Sequence, residues 1–570
     1  MPELRTRPMY ILAQDCGVRT RTRGRSILTA RVPIAWENLF GGPTGHRVQV
    51  VDYDATTDTM YDPALTPRRA PRRPPADSQI LGDPTFHAQN VYALVMATIA
   101  RFEYALGRRV SWCFRGHQLK VAPHAFEQMN AFYSREAESL VFGYYGAPGD
   151  RHFMCLSHDI VVHETTHALL DGLRSRFMAP SSADQAAFHE GFADIVALLS
   201  VFALGEVMDV LVDRNRRAEG GLIARSAVTA EEIMNSWLLG LADDMESETE
   251  GARVNALRRS VTLEPDPNVL KHVEFQEPHR RGEVLVAATM RAFVDAWVRR
   301  LDSPEGARTD RIEVRRVVEE GMDVAATLLT MAIRALDYTP PVHLTFGDFL
   351  SALLTADTQI RADDSRYGLR KGLLDWFSRY GIAPASEAAD GLWEAPAGNS
   401  QLVNEGVRFG SLQTDAVEMF RLVWANSEKL NLNPTAYTRI ASLRPCIRTS
   451  PDDGLPLRET VAECLQYVQI YASELEPFGL TKPEGMADDT EIALEGGSTL
   501  ILDDYGRLKY EVHNRLPDPA RPNDVVKAQD RLDYLWEQGH FDPGASFAAR
   551  LSTIHRLRAI DPPVRSSEAW

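Results

Sequence analysis

The chain has 570 residues, more than one hydrophobic core normally holds, and its 44% hydrophobic, 25% charged composition excludes a disordered protein. A formal net charge of -17 argues against general nucleic-acid binding, since a polyanion would be repelled except at a local basic patch. Cys16, Cys113, Cys155, Cys446 and Cys464 lie far apart with no C-x-x-C pair, so reduced thiols are expected.

The first 25 residues carry Arg5, Arg7, Arg19, Arg21, Arg23 and Arg25, and the apolar run Met9–Ala13 is too short for a secretory core. The eleven uncharged residues between Asp194 and Glu206 are the best membrane-span candidate. They fall short of the roughly 20 that a span requires. These features predict a protein with no membrane partner, either cytoplasmic or exported by a route without a standard signal peptide.

Residues 1–45 read as an N-terminal extension, and 46–157 as a strand-rich lobe. Within that lobe residues 48–61 alternate in strand fashion, and the Pro- and Arg-rich stretch LTPRRAPRRPPADS reads as a solvated loop. Residues 85–106 have helical periodicity, with Val91, Leu94, Val95, Ile99 and Phe102 on one side, and short strand-like pieces follow to Phe153. From 158 to 385 the pattern is helical, with segments at 158–174, 184–205, 229–243, 282–301, 311–336 and 345–381. Small residues near 384–400 read as a linker, leaving 400–570 as a C-terminal module in which 499–512 suggests a hairpin turning at Asp504–Gly506. The predicted class is α+β.

His163-Glu164-Thr165-Thr166-His167 is an H-E-x-x-H motif inside an apolar helix. Residues four apart differ by about 40° around a helix, so both imidazoles project to one side and can share a zinc ion. Glu164 is turned by about 100° from His163, which suits a carboxylate that takes a proton from water and does not bind the metal. A hydrolytic zinc wants three protein ligands and an open position. Glu190, opening a second apolar helix 23 residues after His167, is the natural third ligand. Asp194, one turn on, can accept a hydrogen bond from a ligand imidazole and fix its tautomer. His189 is an alternative third ligand, although its own i+4 position is Ala193. One zinc per chain is expected.

The runs DIVVHETTHALLDGL and AAFHEGFADIVALL, in type, order and placement, resemble the thermolysin-like zinc peptidases, the gluzincins. The resemblance covers about 45–385. It implies a two-lobed peptidase fold, strand-rich then helical, with the zinc site in the cleft and peptide or protein as substrate. Asn130-Ala131-Phe132-Tyr133 is similar to the family's edge strand, which implies substrate binding by Asn130, Ala131 and Tyr133. His279, in Pro278-His279-Arg280-Arg281-Gly282, matches the family's transition-state histidine, and Arg259 its carbonyl-binding arginine. The implied mechanism is zinc-assisted attack of water on a peptide carbonyl, with Glu164 as general base and His279 and Arg259 facing the oxyanion.

Departures from the family matter too. No tyrosine stands between His167 and Glu190, where the family keeps a second oxyanion donor. Of two acidic positions at the family's paired-calcium site only Asp159 is present; the other is Val201, which offers no side-chain oxygen, so no calcium is expected there. Alternative readings are a zinc hydrolase of a non-peptide substrate, or a non-catalytic zinc-binding scaffold or binding protein acting through 400–570.

Overall fold

Alternating burial organises the start of the chain. Strand β1 (Thr6–Leu12) pairs antiparallel with β2 (Thr29–Ala35), and Met9, Ile11, Ala30, Val32 and Ile34 face inward. The hairpin packs on helix α2 (Pro84–Leu106), which follows the short helix α1 (Asp77–Gly82). Asn90 of α2 locks it in place: its carbonyl oxygen accepts from Leu12 N at 2.9 Å, and its amide donates to Cys155 O at 2.9 Å. Residues of the N-terminal extension therefore belong to the same continuous core as the helix that carries the H-E-x-x-H motif. The computed structural model describes residues 5–13, 27–62, 73–147, 151–214, 221–235, 260–302, 310–359, 361, 363–365, 368–396, 402–403, 406–450 and 454–541.

A mixed sheet forms the next layer, built from β3 (Val48–Val50), β6 (Leu119–Glu127), β8 (Ser139–Tyr145) and β7 (Ala131–Ser134) in that order. Between β3 and β6 the chain makes the small hairpin β4 (Tyr53–Asp54) and β5 (Thr59–Met60), then α1 and α2. β3, β6 and β8 run parallel, while β7 is the antiparallel edge and β9 (His152–Phe153) extends the far end of β8. Pro123 lacks an N–H for the ladder, and the β6–β8 register breaks between Ala122 and Phe126.

The predicted helical region is present, with sharper boundaries. Helix α3 (His158–Leu173) carries the H-E-x-x-H motif, and α4 (Ala183–Phe202) carries Glu190. α5 (Gly205–Arg214) follows, then β10 (Leu222–Ala224); of the predicted helix 229–243 only the first part falls in the described residues. α6 spans Pro278–Leu301. It begins before the expected 282 because proline is tolerated in the first turn and the Glu277 carboxylate caps Arg280 N at 2.8 Å.

β11 (Arg311–Glu313) pairs with β10, so α7 (Val314–Ala335) begins three residues after the expected 311. The expected 345–381 helix divides into α8 (Phe346–Thr358) and α9 (Leu369–Arg379), with Gly368 in the left-handed region at φ 60° between them. Among the described residues no single helix is long and apolar enough to cross a membrane; α4 and the start of α5 together reach the length but bend by 77°.

Residues 384–396 lie along the helical lobe, with Trp393 donating from Nε1 to Tyr338 O at 2.9 Å. The C-terminal part holds α10 (Ala416–Ala425), an antiparallel meander of β12 (Tyr437–Thr449), β13 (Pro456–Tyr471), β14 (Glu491–Asp503) and β15 (Leu508–Asn514), and α11 (Pro522–Glu537). The expected hairpin is β14–β15, turning through Gly506 at φ 73°. The whole is a mixed α+β architecture.

Candidate metal centre

The metal-binding face begins with the interior of α3. Its buried Thr165 and Thr166 return their hydroxyls to Val161 O and Val162 O at 2.6 and 2.8 Å, so neither leaves a polar group unsatisfied in the core. His163 and His167 then sit one turn apart with ring centroids 4.5 Å apart. The neighbouring α4 brings Glu190 across: Oε2 lies 3.4 Å from His163 Nε2 and Oε1 lies 3.5 Å from His167 Nε2. One ligand atom from each of these three buried residues lies within 4.8 Å of the others. Bonds of about 2.0–2.2 Å around a tetrahedral ion separate its donor atoms by about 3.3 Å, so the set can hold a metal ion.

The far nitrogens of both rings are occupied. His163 Nδ1 is 2.7 Å from Asp194 Oδ1, as the i+4 spacing from Glu190 predicts. A carboxylate there accepts a hydrogen bond from Nδ1–H and leaves the Nε2 lone pair facing Glu190. His189, weighed as an alternative ligand, instead lies against the far side of His167, Nδ1 to Nδ1 at 2.7 Å, with the rings stacked at 4.8 Å. With the proton on His167 Nδ1 and His189 accepting it, His167 presents Nε2 in the same way as its partner.

Glu164 points elsewhere. Its Oε2 accepts the backbone N–H of Tyr133 at 3.1 Å, so the carboxylate bridges α3 and the outer edge of β7. Because strand residues alternate, Ala131 shares the outward orientation of Tyr133. The Tyr133 hydroxyl donates to Asp171 Oδ2 at 2.9 Å, and Arg135 pairs with the same carboxylate through Nε at 2.8 Å. Burial first, then Asp171, pushes the Tyr133 phenol up, so it stays a neutral donor. Asn130 is buried just before β7, its carbonyl accepting from Gly143 N at 2.8 Å.

His279 also reaches the centre, with Nε2 3.7 Å from Glu190 Oε2 and Nδ1 2.7 Å from Glu277 Oε1. Burial works to raise the Glu277 carboxyl, but the His279 hydrogen bond and charge outweigh it and hold the group below its ordinary value. This placement depends on a glycine contact between α4 and α6. A Cβ on Gly191 would meet Gly282 O at 2.9 Å, and one on Gly282 would meet Ala187 O at 3.0 Å. The two backbones can touch only because neither residue has a side chain.

Arg259 lies outside the described residues. Asp159 accepts from the Ser157 hydroxyl at 2.5 Å in the first turn of α3, where the helix dipole favours a negative charge, and Val201 packs against the core. Asp171 and Glu277 are partners that sequence reasoning missed, while His189, weighed as a ligand, serves as the partner of His167. Asp171 at least had a signal, standing at i+4 from His167. In sequence comparison the chain matches no family model and no curated protein.

Proposed function

We propose that the chain is a zinc-dependent endopeptidase of the thermolysin-like kind, cleaving extended segments of peptide or protein laid along β7. The observation that carries this reading is the position of Glu164: next to a three-ligand set, with its carboxylate already on the backbone of an edge strand. Two imidazoles and one carboxylate fit zinc and leave a coordination position open. Zinc bound there supplies Lewis acidity, polarising a carbonyl and acidifying a water. Glu164 takes a proton from the attacking water and passes it to the leaving amine. The outward edge at Ala131, with the carbonyl of Tyr133 whose N–H is held by Glu164, offers backbone hydrogen bonds to an extended substrate, the strand-addition mode of peptide recognition. His279, anchored on Glu277, offers Nε2 to the developing oxyanion.

Incubation with a diverse peptide mixture tests this, comparing the unmutated chain with Glu164→Gln and measuring metal in both. Cleavage is expected to fall by about a hundred- to ten-thousandfold in Glu164→Gln with metal retained. A metal-loaded unmutated chain that cleaves nothing, or a Glu164→Gln chain that keeps most activity, would overturn the reading.

A further inference from the structure

Away from the cleft, a second group of metal-ligating side chains meets in the interior. His87 of α2, His124 of β6 and Cys155, in the 3-10 turn Met154–Leu156 leading into α3, are all buried, and one ligand atom of each lies within 4.8 Å of the others. No local spacing announces them, because they come from three distant segments. The register break at Pro123 turns His124 out of the β6 ladder, so its backbone N–H goes to Asp52 Oδ1 at 3.1 Å. The rings of Tyr61 and Phe153 pack at 4.9 Å from the His124 ring, which makes the surroundings largely apolar.

Hydrogen-bond arithmetic fixes what the two imidazoles present. His87 Nε2 is 2.9 Å from Ile80 O, a carbonyl that can only accept, so Nε2 carries the proton and Nδ1 is a lone pair. His124 Nδ1 is 2.8 Å from the Asp52 carboxylate, which accepts a hydrogen bond from Nδ1–H and leaves the lone pair on Nε2. These two lone pairs face each other at 2.7 Å. Such a contact requires a cation between them. A single shared proton would meet that need, but it makes no use of the Cys155 sulfur, which lies within 4.8 Å of a nitrogen of each ring.

The arrangement also repeats the His163–His167 centre, where each ring's far nitrogen is likewise held by a protein group. We infer that His87, His124 and Cys155 form a second metal site, taking a divalent thiophilic cation of the zinc type in a structural role.

Charge and softness select the ion. Two neutral imidazoles, one thiolate and the adjacent Asp52 carboxylate balance a 2+ charge, and a sulfur donor disfavours calcium and magnesium. On binding, the metal–sulfur bond replaces the S–H bond and the proton leaves to solvent. Tetrahedral bonds of about 2.0–2.1 Å place two nitrogens about 3.3 Å apart, so the ion opens the imidazole pair by about half an ångström. A full complement is then two ions per chain, where the H-E-x-x-H helix alone predicts one.

Cobalt(II) distinguishes the two centres, because only this one holds a thiolate. Full-length protein stripped of metal and titrated with Co2+ is expected to take up two ions and show a near-ultraviolet thiolate-to-cobalt charge-transfer band. The band should persist in the His163→Ala/His167→Ala chain and vanish in Cys155→Ser and His87→Gln, each variant keeping one ion. No thiolate band in the unmutated chain, or a band unchanged in Cys155→Ser, would overturn the assignment. The measurement on the unmutated chain needs no variant, so it decides the matter even if Cys155→Ser fails to fold.

Discussion

His279 stands where two interactions with different tasks meet: Glu277 fixes Nδ1 at 2.7 Å, and Nε2 is left 3.7 Å from Glu190 Oε2. A ring held this way adds no ligand to the metal set but can stabilise charge that develops beside it. His279→Ala is therefore expected to slow peptide cleavage roughly ten- to a thousandfold with metal retained, the loss of one preorganised oxyanion donor. An unchanged rate, measured as kcat/KM on one defined peptide, would remove His279 from the machinery. The candidate metal-binding group was legible because helical geometry is local: His163 with His167, and Glu190 with Asp194, lie at spacings that a 3.6-residue period turns into common faces. The role of His189 was not legible, since whether it binds the metal or supports His167 depends on how α4 lies against α3. The Glu164 contact with Tyr133 N joins positions 31 residues apart, and no periodicity encodes it.

Between elements, the decisive feature is the crossing of α4 and α6 at Gly191 and Gly282. Glu190 and His279 sit beside these glycines on their respective helices, so the approach of the two backbones sets the distance between the two side chains. A methyl at position 282 would face Ala187 O at 3.0 Å and Gly191 N at 3.1 Å, and both neighbours are backbone. α6 must then shift by a few tenths of an ångström, while alanine recovers up to about 1 kcal/mol of helix propensity. Gly282→Ala is expected to keep its metal and much of its stability yet lose about ten- to a hundredfold in kcat/KM, as small misplacements of a reacting group do. Activity equal to that of the unmutated chain would show that this contact does not govern the site. Helix existence was readable from apolar periodicity, whereas boundaries followed chemistry that periodicity ignores: Pro278 with the Glu277 cap, the β10–β11 pairing, and Gly368.

For the molecule as a whole, the question is what joins the C-terminal meander to the helical lobe, and the answer is largely ionic. Asp337, following α7, is gripped by Arg108 through Nη1 at 2.5 Å and Nη2 at 2.7 Å, and also pairs with the fully buried Arg448 of β12. Arg448 continues to Glu459 of β13, which accepts from the Tyr338 hydroxyl at 2.9 Å and pairs with Lys509 of β15 at 2.5 Å. Nearby, Arg174 beyond the end of α3 reaches Glu463 at 2.7 Å. None of this seam was readable in the sequence, because its charges look like solvated side chains and pair across separations, such as 11 residues for Arg448–Glu459 and 229 for Arg108–Asp337, that no periodicity encodes. Burial alone would raise the Asp337 pKa, but Arg108 and then Arg448 outweigh it and hold the group well below the ordinary carboxylate range. A pKa depressed on folding contributes stability that is fully present above the unfolded value, about 3.9, and is lost as pH falls toward the folded one. Asp337→Asn leaves two buried guanidinium groups without their shared counter-charge, a change expected to destabilise by about 3–5 kcal/mol at pH 7. Comparing melts of the two chains from pH 7 to pH 3 separates this ion-pair effect from a packing defect. The gap between them should be widest near neutrality and narrow below about pH 4, as the carboxylate takes up a proton in the unfolded chain while the folded one is still ionised. Metal loss at low pH affects both chains alike and cancels in the difference. Equal melting temperatures at pH 7, or a gap that does not change with pH, would mean that the meander is held by its apolar contacts with the core and not by Asp337.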